Sequence, residues 1–261
     1  MNYLGLFLVI ALFLGTTSCD KDYDGNQIAG DDSDPTATGQ WEFLAGLSSS
    51  DMDEIAYLHN ESLKEAFADA SSVVSAEAKL RQMEEYYSRR LELYGSSFQE
   101  ARDNTTGQML REYLGEDQKY IAVFENLPIQ NISSLRWFKA LVDERREMVI
   151  QEIDDAARRN VILLYLAVIE RSAEFWLPKD RGGLGYIDAV STFTSSDESI
   201  LRSRNWRSVL AADGAAAATG FLSTAIFLPL ASTPPGAAVT FGRIGFGAAA
   251  GSMWRYFSEC F

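Results

Sequence analysis

Beyond residue 50 the apolar residues recur at steps of three and four, the spacing that lines one face of an α-helix. Ser50 or Asp51 can cap a first helix, with Asp53 and Glu54 in its opening turn and Ile55, Leu58, Leu63, Ala66 and Phe67 as its stripe. His59, the only histidine, borders that stripe beside Asn60. Ser75 opens a second helix through Leu80, Met83, Tyr87, Leu91 and Tyr94, which Gly95 ends. Thr105 and Gln108 have the capping-box spacing for a short helix through Leu114, stopped at Gly115. For Lys119 to Glu125, helix and strand stay equally open.

Ser133 or Ser134 starts the longest pattern, which runs without Pro or Gly to Leu177 and stops at Pro178. Residues 161–169 are apolar throughout, and a helix apolar on every side has to be surrounded, so this segment is the expected central helix. It is too short to cross a bilayer. Asp180-Arg181-Gly182-Gly183-Leu184-Gly185 reads as a loop rather than a nucleotide cradle, because the G-x-G-x-x-G order is absent and a helix precedes it. Ser195-Ser196-Asp197 supplies a cap for a short helix leading into the tail.

From Trp206 to Trp254 the chain is written almost wholly in Ala, Gly and large apolar residues, broken by Ser232-Thr233-Pro234-Pro235-Gly236. The prolines predict a helical hairpin with its turn near Pro234 and Pro235. Gly214 with Ala218, and Gly247 with Gly251, are four apart and stack on one face, which lets two helices approach closely. Asp213 and Arg243 interrupt the two arms. Asp213 falls level with Arg255, so Arg255 or Arg207 is its expected partner, whereas Arg243 has no acid at its own level. The hairpin is read chiefly as an Ala-rich core clasped by the preceding helices. The other readings are contact with a membrane or with a second copy.

Charge follows the same division. The whole chain carries −14, yet residues 201–261 hold five arginines against Asp213 and Glu259, a formal +3. An acidic body argues against nucleic-acid binding, which needs a basic face. Arg202, Arg204 and Arg207 either meet anionic headgroups or pair with nearby acidic helices.

The amino terminus has a different pattern. Residues 1–18 lack any charged side chain and hold the apolar run Leu4 to Leu14, the core of a signal peptide. Thr16-Thr17-Ser18-Cys19 then resembles a relaxed bacterial lipobox. That resemblance implies cleavage before Cys19, diacylation of its thiol and a lipid anchor in the outer membrane, facing the surface or the periplasm. The acidic stretch Asp20-Lys21-Asp22-Tyr23-Asp24 is similar to the export signal of Bacteroidota surface lipoproteins. An ordinary secretory signal, with Cys19 free or paired to Cys260, is the alternative. Residues 19–40 form an acidic flexible tether. In it Asp20, Asp22, Asp24 and Asp31 have the spacing of a calcium loop but no flanking elements to hold one.

Little here points to catalysis. One histidine does not make a His-rich zinc or di-iron site, and G-x-S-x-G is absent. Glu84-Glu85 and Asp154-Asp155 are adjacent pairs pointing to different helix faces. No metal and no cofactor are expected. His59 and Asn60 are read as a structural hydrogen-bonded pair or as the lining of a ligand site, and Phe175 and Trp176 as core closing the long helix.

Leu58-His59-Asn60, Ser172-Ala173-Glu174-Phe175-Trp176 and Ala211-Ala212-Asp213-Gly214-Ala215-Ala216 together resemble landmarks of Bacteroidota lipoproteins with a helical body and a glycine-zipper-like C-terminal hairpin. The resemblance implies no particular activity. The expected architecture is all-α, with residues 41–200 a helical bundle around a long central helix and residues 201–261 an Ala/Gly-rich hairpin packed on or extending from it. The expected role is that of a lipid-anchored envelope protein, structural or binding, with the membrane and a second copy as its partners. A bacteriocin-like membrane-active toxin and a hydrolase are the rivals.

Overall fold

The computed structural model describes residues 42–73, 75–106, 108–115, 127, 129, 132–186, 206–225 and 234–260. Every regular element among them is helical: besides a short helix at residues 42–46 and three 3₁₀ turns, these are α1 (Ser49–Asp69), α2 (Ala76–Leu93), α3 (Phe98–Asp103), α4 (Gln108–Leu114), α5 (Leu135–Glu152), α6 (Ala156–Trp176), α7 (Trp206–Ala225) and α8 (Pro234–Cys260). Cys19, Asp20, Asp22, Asp24, Asp31, Lys119 to Glu125, Ser195-Ser196-Asp197, Arg202 and Arg204 lie outside the described residues.

The helix starts follow from local capping chemistry. Ser48, rather than Ser50 or Asp51, caps α1: its hydroxyl accepts from Asp51 N–H, while the Asp51 carboxylate accepts from Ser48 N–H. Asp51 is thus the third residue of the box, not the cap. Ser75 and Ser134 cap α2 and α5 as the spacing predicts. Gly95 takes φ +66°, a conformation without steric cost only for glycine, and ends the α2 turn with Gly95 N–H donating to Glu92 O and Ser96 N–H to Leu91 O. Thr105 does not cap. It lies in a 3₁₀ turn and its hydroxyl donates to Arg102 O.

The single long helix expected from Ser134 to Leu177 is two helices. The chain leaves the helix at Ile153, and the Asp155 side chain accepts from Arg158 N–H to start α6. An Asp side chain competes with the backbone for these hydrogen bonds, so an Asp pair breaks a pattern that contains neither Gly nor Pro. α6 is the central helix. Its residues Val161, Ile162, Leu164 and Tyr165 to Ile169 are buried. α5 covers one side of it through Lys139 and Arg146, which pair with Glu170 at 3.8 and 2.6 Å.

The C-terminal hairpin is core. α7 packs against α6 and α8, and α8 against α1 and α3. Pro234 and Pro235 occupy the first turn of α8, where a missing N–H costs nothing, rather than the middle of the turn. The small residues account for the closeness. A Cβ on Gly214 would lie 2.5 Å from Ile169 Cγ2 and 2.7 Å from the Tyr165 ring, and one on Gly251 would lie 2.8 Å from Ala101 O. Ala218 is fully buried. Gly247 departs from this pattern, since a Cβ there would meet nothing within 4 Å. No described helix is long and apolar enough to cross a membrane.

Candidate functional site

Three of the short stretches singled out in the sequence meet at one point inside the bundle. α1 brings His59 and Asn60, α6 brings Ser172 and Trp176, and α7 brings Asp213. His59, Ser172, Trp176 and Asp213 have no solvent exposure, and Asn60 has 6%.

Asp213 Oδ2 is the centre. Ser172 Oγ donates to it, and Trp176 Nε1–H donates from 3.3 Å. His59 Nε2 stands 3.5 Å away and makes no hydrogen bond there. The second carboxylate oxygen, Oδ1, has no hydrogen-bond partner. On its other side His59 Nδ1 lies 3.0 Å from Asn60 Oδ1, and Asn60 Nδ2 donates to Arg171 O at 2.7 Å. One carboxylate therefore ties α1, α6 and α7 together, and the amide of Asn60 adds a second tie between α1 and α6.

The arginine partner expected for Asp213 is a correction. A hydroxyl, an indole and an imidazole meet its Oδ2 in place of the Arg255 guanidinium, because α6 and α1 flank this level of α7 and donate from inside the core. The Arg207 side chain lies outside the described residues. Arg243, which has no acid at its level of the hairpin, finds one in the body: Glu100 of α3 accepts from its Nη2 at 2.5 Å.

The field of this carboxylate reaches two phenols. Burial pushes the Tyr87 hydroxyl well above its ordinary range, and the neighbouring charge of Asp213 adds to that. Tyr165 is raised by burial first and by Asp213 second.

The group lacks the order of a hydrolytic relay. In such a relay the nucleophile donates to the histidine, whose far nitrogen donates to an acid. Here Ser172 donates to the acid, and the far nitrogen of His59 faces an amide. No substrate could reach a serine that is fully enclosed. Among the described residues no group of three or more His, Cys, Asp or Glu is placed to hold a metal ion. An open groove of about 380 Å³ lies elsewhere, lined by Arg81, Glu84, Glu85, Ser88 and Arg89 of α2 with Phe98 of α3. Its acids are interleaved with arginines.

The sequence pointed to His59, Asn60, Trp176 and Asp213, and the structure brings all four together. It did not single out Ser172 by itself, or the two phenols. Ser172 sits one turn before Trp176 on the same face of α6, so a polar residue in the buried stripe was the available signal. Of the other tail residues, Gly214, Ala218 and Gly251 pack inside the bundle, whereas Gly247 and Arg255 are half-buried. No protein-family model, curated protein or solved structure matches the chain.

Proposed function

We propose that the chain is a lipid-anchored cell-envelope protein with a structural or binding role, held to the membrane through Cys19 and presenting a helical body whose hairpin serves internal packing. One observation carries the second half of this reading. The space over Gly214 of α7 and Gly251 of α8, which in a membrane protein would receive a partner helix, is already filled by Tyr165, Ile169, Ala101 and Thr105 of the body. Inserting the hairpin would uncover those residues and pull Asp213 away from Ser172 and Trp176. Such a rearrangement is strongly opposed, since it discards both the packing and the satisfied buried donors. The acyl chains on Cys19 are then the anchor, and two chains suffice for stable attachment.

The test is flotation of the Cys19→Ala mature chain, made without its signal, on vesicles with and without anionic lipid. The reading expects a monomer that stays with the soluble fraction on both. Flotation would show that the hairpin engages bilayers unaided and would move the assignment to a membrane-active toxin.

A further inference from the structure

The charge state of the buried knot follows from which atoms must carry hydrogens. Asn60 Nδ2 donates to Arg171 O, and that fixes Oδ1 as the amide atom turned toward His59. An amide oxygen only accepts, so His59 Nδ1, 3.0 Å away, carries a proton. A neutral imidazole has one N–H. With that hydrogen on Nδ1, a neutral His59 would aim the lone pair of Nε2 at Asp213 Oδ2, 3.5 Å distant. Oδ2 meanwhile accepts from both Ser172 and Trp176, the environment of an ionised carboxylate rather than of a carboxyl OH. Two acceptors would then face each other with no solvent between them, an arrangement that a low-dielectric interior penalises heavily.

We propose that His59 carries a second proton, on Nε2, and that the imidazolium–carboxylate pair it forms with Asp213 is a proton-operated latch between α1 and the hairpin arm α7. Asp213 is the one acid in α7, and the latch supplies it with a counter-charge. Among the described residues, Tyr87 from α2 and Tyr165 from α6 also feel the carboxylate, and burial together with that charge holds both phenols neutral. From α8, Gly245 packs against the His59 backbone. Among the described side chains no Lys or Arg lies within 4.0 Å of the Asp213 carboxylate. The direction follows: the folded state binds this proton, so stability is retained at low pH and falls as rising pH removes it. An alkaline shift leaves the carboxylate buried without a counter-charge and favours opening α7 away from α1, where water can reach it.

A single histidine makes the test direct, because ¹⁵N-histidine labelling of the full chain reports one ring. At neutral pH both ring nitrogens should give the protonated signature, and the loss of the Nε2 proton on alkaline titration should coincide with a fall in Tm. In a folded Asp213→Asn chain Nε2 should lose its proton at neutral pH. The proposal is overturned if Nε2 is unprotonated in the folded full chain at neutral pH, or if its proton leaves while Tm stays constant. Both outcomes are read on the unmutated chain, so they hold even where the variant does not fold.

Discussion

Ser172 on α6 and Asp213 on α7, 41 residues apart, are joined side chain to side chain with no solvent on either. The contact fixes the register of the hairpin arm against the central helix. Removing the hydroxyl by Ser172→Ala withdraws one of two neutral donors from a buried carboxylate, which costs about 1–3 kcal/mol. Asp213→Ala is expected to cost more, because it leaves the Ser172 hydroxyl and the Trp176 N–H both buried without their acceptor. In the double variant the serine loss should largely vanish, since its acceptor is already gone. Urea midpoints of the four chains check this, and additive losses would mean that the two side chains do not share one interaction.

This knot also shows how far the sequence could be read. An Asp inside an Ala/Gly arm and a lone His at the edge of an apolar stripe both mark places where burial requires a partner, so each was visible as a site. Their mutual pairing was not. Periodicity assigns a residue to a face of its own helix, whereas the partner depends on which helices cross and at what level. The same limit misdirected Asp213 toward Arg255, the cation level with it along the hairpin, when the donors come from α6. Helix ends were legible at Ser75, Gly95, Ser134 and Pro178, whereas in the serine run before α1 the cap fell on Ser48 rather than Ser50. The break at Asp154-Asp155 was hidden because those acids read as two faces of a continuing helix. An internal small-residue stripe was the favoured reading, but the sequence could not decide it. Close helix approach demands the same residues in lipid and in a core, and only the neighbours of Gly214 and Gly251 distinguish the two.

Asn160 anchors the chain that leads into α1. Its Nδ2 donates to Leu44 O at 2.8 Å, Ala45 O at 3.0 Å and Leu47 O at 3.2 Å, gathering three carbonyls around one amide. Asn160→Ala should destabilise by about 1–3 kcal/mol, the cost of leaving buried carbonyls without donors. Asn160→Asp should be worse, because it sets a negative charge among three carbonyl oxygens. Melting temperatures rank the pair, and limited proteolysis at residues 42–48 should accelerate in the same order. An Asp variant as stable as the Ala variant would contradict the donor role.

Raised phenols give the fold an alkaline limit. Tyr87 and Tyr165 are both held above their ordinary value of 10.0 by burial, with Asp213 adding to each. A group whose folded value is raised contributes its full stability below the unfolded value and loses it as pH climbs through the folded one. Stability should therefore fall above pH 10.0, and the tyrosinate absorbance of these two phenols should appear together with unfolding rather than before it. Tyr87→Phe removes one such group and should move the alkaline transition to higher pH. Early ionisation of all tyrosines in a chain that is still folded would refute the assignment.

Gly214 and Gly247 separate internal packing from a membrane or self-association face, because the sequence treats them alike and the structure does not. A methyl at residue 214 would press on Ile169 and Tyr165 at 2.5–2.7 Å, both buried in the central helix with little room to move. Gly214→Ala should thus lower stability by about 1–3 kcal/mol, the usual cost of overpacking, less the gain from replacing a helical glycine. At residue 247 a methyl enters open space, so Gly247→Ala should raise stability by about 0.5–1 kcal/mol through helix propensity alone. Chemical denaturation of the two variants gives opposite signs if the hairpin packs within its own body. If Gly247 instead lay on a helix–helix contact between copies, the added methyl would weaken that contact. Sedimentation of the wild-type chain would then show an oligomer that Gly247→Ala dissociates, and the gain in stability would not appear.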